Sequence, residues 1–261
     1  MKFVVALLAV AACGDDGAPA IDAAVVDAPD AGTPSIEGTP VSSFETTSCS
    51  TSDVLALSVQ IAQEVDCIQP GQLVRFDESA AIVFAGGAVL PYVSEVARAD
   101  LYAAVQAAGG TKLQVTSAFR TVVQQYLLRR WFELSRCGIT AAAEPGTSNH
   151  ESGRALDVSN YSAWITTMEA HGWSHDVPGD PVHFDHLASP DIRGADVLAF
   201  QRLWNKNAPS DPIAEDGAYG PTTEERVKRA PAEGFGIGAS CASSMRAVIS
   251  SDIGARAELA E

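Results

Sequence analysis

The sequence of 261 residues is poor in positive charge, with 17 Lys and Arg against 33 Asp and Glu and a net charge of −16. The few basic residues form no dense cluster of the kind that binds a phosphate backbone, so we expect no nucleic-acid partner. The chain also lacks an apolar run of the roughly 20 residues that a membrane-spanning helix needs. Its length and its 46% hydrophobic content predict a globular domain with a small second unit.

The first residues read as a targeting signal. Lys2 precedes an apolar stretch, Phe3 to Val10, of signal-peptide length, so we assign residues 1–12 to a signal peptide. The run Val10-Ala11-Ala12-Cys13 resembles the cleavage box of bacterial lipoproteins, which implies lipid on Cys13 and an extracytoplasmic, membrane-anchored protein at the periplasm or cell surface. An ordinary secretory signal with an incidental cysteine is the alternative.

Residues 13–48 are rich in Ala, Asp, Pro, Thr and Ser, and no Lys or Arg occurs between Lys2 and Arg75. Such a stretch buries too little apolar surface to offset the entropy of ordering it. We therefore predict a disordered tether over residues 13–48.

Four further cysteines, Cys49, Cys67, Cys137 and Cys241, predict two disulfides in an oxidising compartment, with three possible pairings. A helix predicted over residues 52–64 would hold Cys49 and Cys67 apart. We favour Cys67–Cys137 with Cys49–Cys241. A zinc site made by these cysteines is the competing interpretation, but no C-x-x-C pair supports it.

The periodicity of the globular part is mixed. It predicts helices over residues 52–64, 97–108, 122–135 and 162–171, and strands over residues 113–117, 155–158 and 182–186. Helices and short strands without a repeating strand–helix unit indicate an α+β fold.

Three residues of metal-ligand type lie in this region. His150 and Asp157 are seven apart around Gly153, a spacing that suits one ligand on a loop and the next on the following strand, and His183 comes three residues after Asp180. A His and an Asp at the spacing of His150 and Asp157 are more often solvated surface residues. A lone histidine in an apolar strand, such as His183, is more often a hydrogen-bonded core residue. Their order along the chain, with an arginine upstream, raises the probability of a site.

The blocks Thr116-Ser117-Ala118-Phe119-Arg120-Thr121, Ser148-Asn149-His150-Glu151-Ser152-Gly153-Arg154-Ala155-Leu156-Asp157 and Gly179-Asp180-Pro181-Val182-His183-Phe184 resemble the zinc D-alanyl-D-alanine carboxypeptidases, the VanY-like peptidases. The middle block fits the pattern S-x-H-x-x-G-x-A-x-D at every fixed position. The resemblance implies a catalytic domain over residues 49–190, with a small antiparallel sheet and flanking helices as in the Hedgehog and D,D-peptidase proteins.

The same resemblance implies one Zn²⁺ bound by His150, Asp157 and His183. Two imidazoles and one carboxylate leave a fourth position open for water, which is typical of a catalytic zinc.

The resemblance also assigns roles to five polar residues. Asp180 is the expected general base, although many relatives carry Glu there and the reach of the shorter side chain stays open. Arg120 is expected to stabilise the tetrahedral intermediate, with a surface salt bridge as the alternative. Ser148, Gln125 and Ser117 are expected to line the substrate pocket or brace the site.

The segments 195–204 and 215–227 resemble the small helical peptidoglycan-binding domain. The first hallmark reads Phe200-Gln201-Arg202-Leu203, and an Asp-Gly turn precedes a helix expected to start at Thr222 or Thr223. We assign residues 191–241 to this module and residues 242–261 to a short tail. Binding of cell-wall glycan by the module is one prediction, and a structural cap tied by Cys241 is the other.

These features predict an extracytoplasmic zinc peptidase that hydrolyses D-alanine-containing stem peptides of peptidoglycan. A D-alanyl-D-alanine carboxypeptidase is the first choice. An endopeptidase with the same zinc chemistry and a non-catalytic cell-wall-binding lipoprotein are the alternatives.

Overall fold

The computed structural model describes residues 36–242. The α-helices in this range are α1 (Phe44–Thr47), α2 (Leu55–Ile68), α3 (Glu95–Ala107), α4 (Val122–Glu133), α5 (Ile165–Glu169), α6 (Ala195–Asn207) and α7 (Pro221–Arg229). The strands are β1 (Val74–Arg75), β2 (Ile82–Phe84), β3 (Tyr92–Val93), β4 (Leu113–Ser117), β5 (Ala155–Val158) and β6 (His183–Asp185). Between residues 36 and 242, no helix has the length and apolar character needed to cross a membrane. The predicted signal peptide, Cys13 and nearly all of the tail at 242–261 lie outside the described residues.

The central sheet has the strand order β2-β4-β5-β6. Strands β4, β5 and β6 are antiparallel, which confirms the α+β fold with a small antiparallel sheet and flanking helices, and β2 adds a parallel edge strand beside β4. The register pairs Asp157 with Ser117 on one side and with His183 on the other. Three polar residues predicted to belong to the site therefore lie side by side across the sheet.

The sheet forms one core with α3 and α5. In β4, Leu113 and Val115 are buried while the intervening Gln114 is exposed, as the two-residue period of a strand requires. These side chains pack with Leu101 of α3 and Met168 of α5. One face of the sheet is thereby closed, and the polar residues of the site gather at its other side.

A second core joins α2 and α4 to the C-terminal helices. Leu57 of α2 and Tyr126 of α4 belong to the same buried cluster as Phe200 and Trp204 of α6 and Val227 of α7. Residues 191–241, which we predicted as a separate module, therefore share a hydrophobic core with the predicted catalytic domain.

The start of the described chain differs from the predicted tether. Val41 is fully buried and donates its backbone N–H to the carbonyl of Ala230 at 3.0 Å, while Pro40 forms an isolated bridge with Pro231. The indole N–H of Trp131 also donates to the carbonyl of Phe44. The tether prediction is therefore wrong for residues 36–48, because the apolar side chains among the Ser and Thr residues dock on α4 and on the end of α7.

The disulfides are Cys49–Cys137 and Cys67–Cys241, so the predicted pairing of Cys67 with Cys137 and Cys49 with Cys241 is wrong. Helix α2 does separate Cys49 from Cys67. The chain after α4, however, returns to the segment before α2, where Arg136 donates to the carbonyl of Thr46 at 2.7 Å. At the other end of α2, the buried Glu64 accepts from the backbone N–H of Ser240 at 2.6 Å and brings Cys241 to Cys67.

The C-terminal segment owes its turn to one glutamine. The side-chain oxygen of Gln201 accepts from the N–H groups of Asp216 and Gly217, and its amide nitrogen donates to the hydroxyl of Thr223. Helix α7 starts at Pro221 with Gly220 as its N-cap residue, so neither Thr222 nor Thr223 caps it as predicted. The Thr223 hydroxyl instead closes the turn by donating to the carbonyl of Ala218 at 3.1 Å.

Candidate metal centre

A short 3₁₀ turn, Asn149–Ser152, carries the first histidine of the site. The Ser148 hydroxyl accepts from the N–H of His150 at 3.3 Å, and the Glu151 carboxylate accepts from the N–H of Ser148 at 3.0 Å, forming a capping box. Gly153 ends the turn at φ +65°, a conformation that favours glycine. The Ser and Gly of the sequence motif thus shape the turn that presents His150.

The predicted ligands His150, Asp157 and His183 converge. His150 Nε2 lies 3.1 Å from Asp157 Oδ1 and 3.1 Å from His183 Nδ1, and His183 Nδ1 lies 3.2 Å from Asp157 Oδ1. Tetrahedral zinc with ligands at about 2.0–2.1 Å needs ligand atoms about 3.3–3.4 Å apart. The triangle in this protein is within about 0.3 Å of that requirement.

The outer hydrogen bonds of the two rings decide which nitrogens carry protons. His150 Nδ1 lies 2.7 Å from the carbonyl oxygen of Ala118, which can only accept, and His183 Nε2 lies 2.9 Å from Asp185 Oδ1. In the neutral rings, the inner nitrogens of both histidines then carry lone pairs that point toward each other and toward Asp157. A cation is the partner that satisfies three such lone pairs, so the donor set fits a metal ion.

The electrostatics of the cluster also favour a cation. Burial would raise the pKa of Asp157, but His150, His183 and Arg120 hold it well below its usual range. Burial lowers the pKa of His150, and the charge of Arg120 lowers it further. Burial alone would lower the pKa of His183, yet hydrogen bonds to Asp157 and Asp185 raise it to about 9. Asp157 is thus an ionised ligand, and the neighbouring carboxylates favour positive charge at His183.

Arg120 contacts Oδ2 of Asp157, whereas the two histidines contact Oδ1. Its guanidinium donates to Asp157 Oδ2 at 2.7 Å, to the Ser117 hydroxyl at 3.0 Å and to the Gln125 side-chain oxygen at 3.0 Å. Gln125 in turn donates to the carbonyl of Ala143 at 2.8 Å. Ser117 and Gln125, for which the sequence left open a place in the substrate pocket or a bracing role, contact Arg120 and are not among the described residues that line the pocket.

A pocket of about 210 Å³ opens beside the three ligands. It is lined by Arg120, Ala141, Ala142, Ala143, Thr147, Ser148, Asn149, His150, Val177, Asp180, His183 and Asp185. Asp180 is half-buried, and no side chain in the described part of the chain hydrogen-bonds to its carboxylate. Burial, reinforced by the charge of Asp157, raises the pKa of Asp180. The structure thus brings a carboxylate suited to accept a proton to the pocket that His150 and His183 line.

Two contacts of the cluster were not predicted. Asp185 accepts from Asn149 Nδ2 at 2.9 Å as well as contacting His183. The two-residue period of β6 places His183 and Asp185 on one face, so the alternation of the strand could have revealed this partner. The carbonyl of Ala118 belongs to the backbone, and no side-chain motif could have revealed it.

A buried pair of carboxyl groups joins the ligand turn to α6. Glu151 accepts from the N–H of Gly146 at 2.8 Å, and its carboxyl group interacts electrostatically with the buried carboxyl group of Asp196. Burial raises the pKa of Glu151 to about 7, and burial together with the charge of Glu151 raises that of Asp196 well above its usual value. Burial and the neighbouring charge thus favour the protonated form of this pair.

Residues 92–177 match the family model described as "VanY: D-alanyl-D-alanine carboxypeptidase". The matched range includes Arg120, His150 and Asp157 and ends before Asp180 and His183. A solved structure of the LdcB LD-carboxypeptidase, described as revealing the molecular basis of peptidoglycan recognition, is similar with a TM-score of 0.36 and 19% identity. That similarity covers 62% of this chain and 79% of the other. The search of curated proteins found no match.

Proposed function

We propose that this protein is a zinc-dependent peptidase that hydrolyses D-alanine-containing stem peptides of peptidoglycan, in the first place a D-alanyl-D-alanine carboxypeptidase. The observation that carries the proposal is the convergence of His150 Nε2, Asp157 Oδ1 and His183 Nδ1 at 3.1–3.2 Å beside a pocket. The family match over residues 92–177 supports the substrate class.

Two imidazoles and one carboxylate form the ligand set of a catalytic zinc, with a position left for water or substrate. A zinc ion held there would supply a Lewis acid and lower the pKa of a water molecule toward about 7. The protein's contribution is to fix the three ligand atoms, and the hydrogen bonds from His150 to Ala118 and from Arg120 to Asp157 support this role.

Asp180 is the proposed general base. It accepts the proton of the attacking water and delivers it to the amine that leaves. Its raised pKa brings its proton affinity closer to neutrality, where a general base transfers protons most effectively. The absence of a hydrogen-bonding side chain among the described residues leaves its carboxylate available to water and substrate.

Arg120 has two proposed roles. It lines the pocket, where its charge stabilises the oxyanion of the tetrahedral intermediate. It also donates to the outer oxygen of Asp157 and so keeps Oδ1 turned toward the histidines. Ser117 and Gln125 brace the guanidinium, while Ser148 lines the substrate pocket and shapes the turn of His150.

One observation favours the endopeptidase alternative. Among the described residues that line the pocket, Arg120 is the sole Lys or Arg, and its guanidinium already has three acceptors. Because Arg120 is also the proposed donor to the oxyanion, the described lining offers no second Lys or Arg side chain for a free terminal carboxylate. An internal peptide bond has no such requirement.

We further propose that the protein acts outside the cytoplasm, anchored by lipid on Cys13, with residues 191–241 as a structural cap. The shared core of α2 and α6 supports the cap. A cavity of about 230 Å³ lined by Gln201, Asp216 and Thr222 leaves glycan binding by the same segment as the second candidate.

The test uses the chain from residue 14 onward, which retains every described residue. The protein is incubated with a defined stem pentapeptide, with and without a zinc chelator, and product masses are read by mass spectrometry. We expect chelator-sensitive loss of one terminal alanine. An internal cut would support the endopeptidase, and no product despite bound zinc would favour the non-catalytic lipoprotein.

A further inference from the structure

We propose that Asp185 and Asn149 form a positioning pair that turns His183 Nδ1 toward the metal, on the premise of the zinc peptidase proposed above. Asp185 Oδ1 lies 2.9 Å from His183 Nε2, the ring nitrogen that points away from the other two ligands. A carboxylate at that nitrogen holds the N–H there and leaves the lone pair on Nδ1. It also increases the basicity of the ligand nitrogen.

Asn149 fixes the carboxylate in turn. Its side-chain nitrogen donates to Asp185 Oδ1 at 2.9 Å. Asn149 precedes His150 on the 3₁₀ turn, whereas Asp185 follows His183 by two residues on β6. The hydrogen bond thus ties the segment of the first ligand to the segment of the third and sets the distance between the two histidines.

The geometry separates this role from that of a general base. Asp185 Oδ1 already meets two donors, His183 Nε2 and Asn149 Nδ2. The carboxylate is also mostly buried, with 12% of its side chain exposed. Asp180, by contrast, has no hydrogen-bonding side chain among the described residues. Asp185 therefore acts through His183.

The protein contains a matched control for this pair. His186 Nε2 lies 2.9 Å from Asp100 Oδ2, the same separation as in the His183–Asp185 pair, and His186 is fully buried. His186 is not among the predicted ligands. Removing the Asp100 carboxylate therefore deprives a buried histidine of its partner without touching the metal centre.

The experiment measures the zinc dissociation constant by competition with a chromogenic chelator for the wild type, Asp185→Ala, Asn149→Ala and the control Asp100→Ala. Circular dichroism verifies that each variant is folded. We expect Asp185→Ala to weaken zinc binding about 10- to 100-fold, the range for outer partners of a metal. Asn149→Ala should weaken it about 3- to 10-fold, at or below the lower end of that range. Asp100→Ala should leave the zinc affinity within about twofold of the wild type. Activity of Asp185→Ala should recover as zinc is raised, whereas loss of a general base would not.

Equal zinc affinity of the wild type and folded Asp185→Ala would overturn the positioning pair alone, and so would an activity loss that excess zinc does not restore. If Asp185→Ala fails to fold, Asn149→Ala decides, and unchanged affinity there contradicts the proposal. A wild type that binds no zinc would overturn the proposed function together with this pair.

Discussion

His183 and His186 lie three residues apart in sequence, and each is paired with an aspartate. The Nε2 atom lies 2.9 Å from a carboxylate oxygen in both pairs, His183–Asp185 and His186–Asp100. They differ in what the second ring nitrogen meets. His183 Nδ1 faces two further ligand atoms beside a pocket, whereas His186 Nδ1 lies 2.8 Å from the Ser189 hydroxyl. A histidine–aspartate pair alone therefore does not distinguish the candidate metal centre. What distinguishes it is the convergence of His183 Nδ1 with two further potential ligand atoms.

The second cluster has a structural task. The Ser189 hydroxyl contacts the Ser94 hydroxyl, which accepts from the N–H of Ala97 and so caps α3. The two ring nitrogens of His186 and the hydroxyls of Ser189 and Ser94 all have hydrogen-bond partners, and none of the three residues lines the pocket of the candidate metal centre. This cluster fixes the start of a helix against β6, whereas the His183 cluster brings three potential ligand atoms within 3.1–3.2 Å of one another.

The largest contrast is expected from replacing each histidine. His183→Ala removes a ligand, so kcat should fall by more than the roughly 100-fold upper value seen for outer partners. His186→Ala should keep kcat within about threefold, below the roughly 10- to 100-fold losses seen for outer partners of a metal. Steady-state kinetics on a stem pentapeptide, with the folded fraction measured for each variant, checks both. Similar losses of kcat in His183→Ala and His186→Ala would contradict the different roles assigned to the two histidines.

The next largest effect is expected from removing the proposed general base, Asp180. Asp180→Ala should reduce kcat about 10²- to 10⁴-fold while zinc stays bound, since the side chain moves a proton and holds no metal. Asp176→Ala is the matched control, because Asp176 lies on the same loop and its carboxylate bonds to the Ser174 hydroxyl at 2.7 Å. Undiminished turnover by Asp180→Ala would transfer the role of the base to another residue.

Arg120→Lys tests whether the several hydrogen bonds of the guanidinium are needed in addition to its charge. A lysine keeps the charge but cannot donate to Asp157, Ser117 and Gln125 together. We expect kcat/KM to fall about 100-fold, at the lower end for removal of an oxyanion donor. A lysine variant with wild-type kinetics would show that charge alone is needed. Arg130→Lys serves as the control, because the Arg130 guanidinium pairs with Glu45 and Glu133, which do not line the pocket.

Ser189→Ala should affect stability alone. The change leaves the buried Nδ1 of His186 without its partner, and an unsatisfied buried group costs about 1–3 kcal/mol. Thermal unfolding should show a lower Tm, and the zinc dissociation constant should be unchanged. A loss of zinc affinity in this variant would mean that the two clusters are coupled.

The smallest effect concerns the carboxyl pair of Glu151 and Asp196. The folded-state pKa of Glu151, about 7, is above its ordinary value of 4.5, so the folded state binds the extra proton. The resulting stability is complete below pH 4.5 and is lost as the pH rises through about 7. Asp196→Asn should raise the free energy of unfolding at pH 8 by about 1 kcal/mol, the value of one hydrogen bond, and should change it little at pH 5. Urea unfolding of the zinc-loaded wild type and Asp196→Asn at pH 5 and pH 8 measures these free energies. An equal difference between the two proteins at both pH values would contradict the prediction.

Much of the fold, and the turn that carries His150, was predictable because it depends on residues close in sequence. The strands predicted over residues 113–117 and 155–158 match β4 and β5, since alternation of buried and exposed side chains defines them. The motif from Ser148 to Asp157 contains its own turn, with a capping serine and a glycine at positive φ. Both features act between residues close in sequence.

The errors and omissions arise over long distances. The disulfide pairing depended on where the chain after α4 and the chain after α7 return to the ends of α2, which no local pattern shows. Strands of two residues such as β1 and β3 are too short for periodicity to reveal. The partner of His183 was within reach of the strand period, but the carbonyl of Ala118 became a partner only through folding.

The most direct test of the account is the zinc content of the purified chain from residue 14 onward, measured by mass spectrometry of the metal for the wild type, His150→Ala, His183→Ala and His186→Ala. We predict one zinc per wild-type chain, the same for His186→Ala, and nearly none for the two ligand variants. Zinc retained by folded His150→Ala and His183→Ala, or lost equally from His186→Ala, would contradict the assignment of the metal centre.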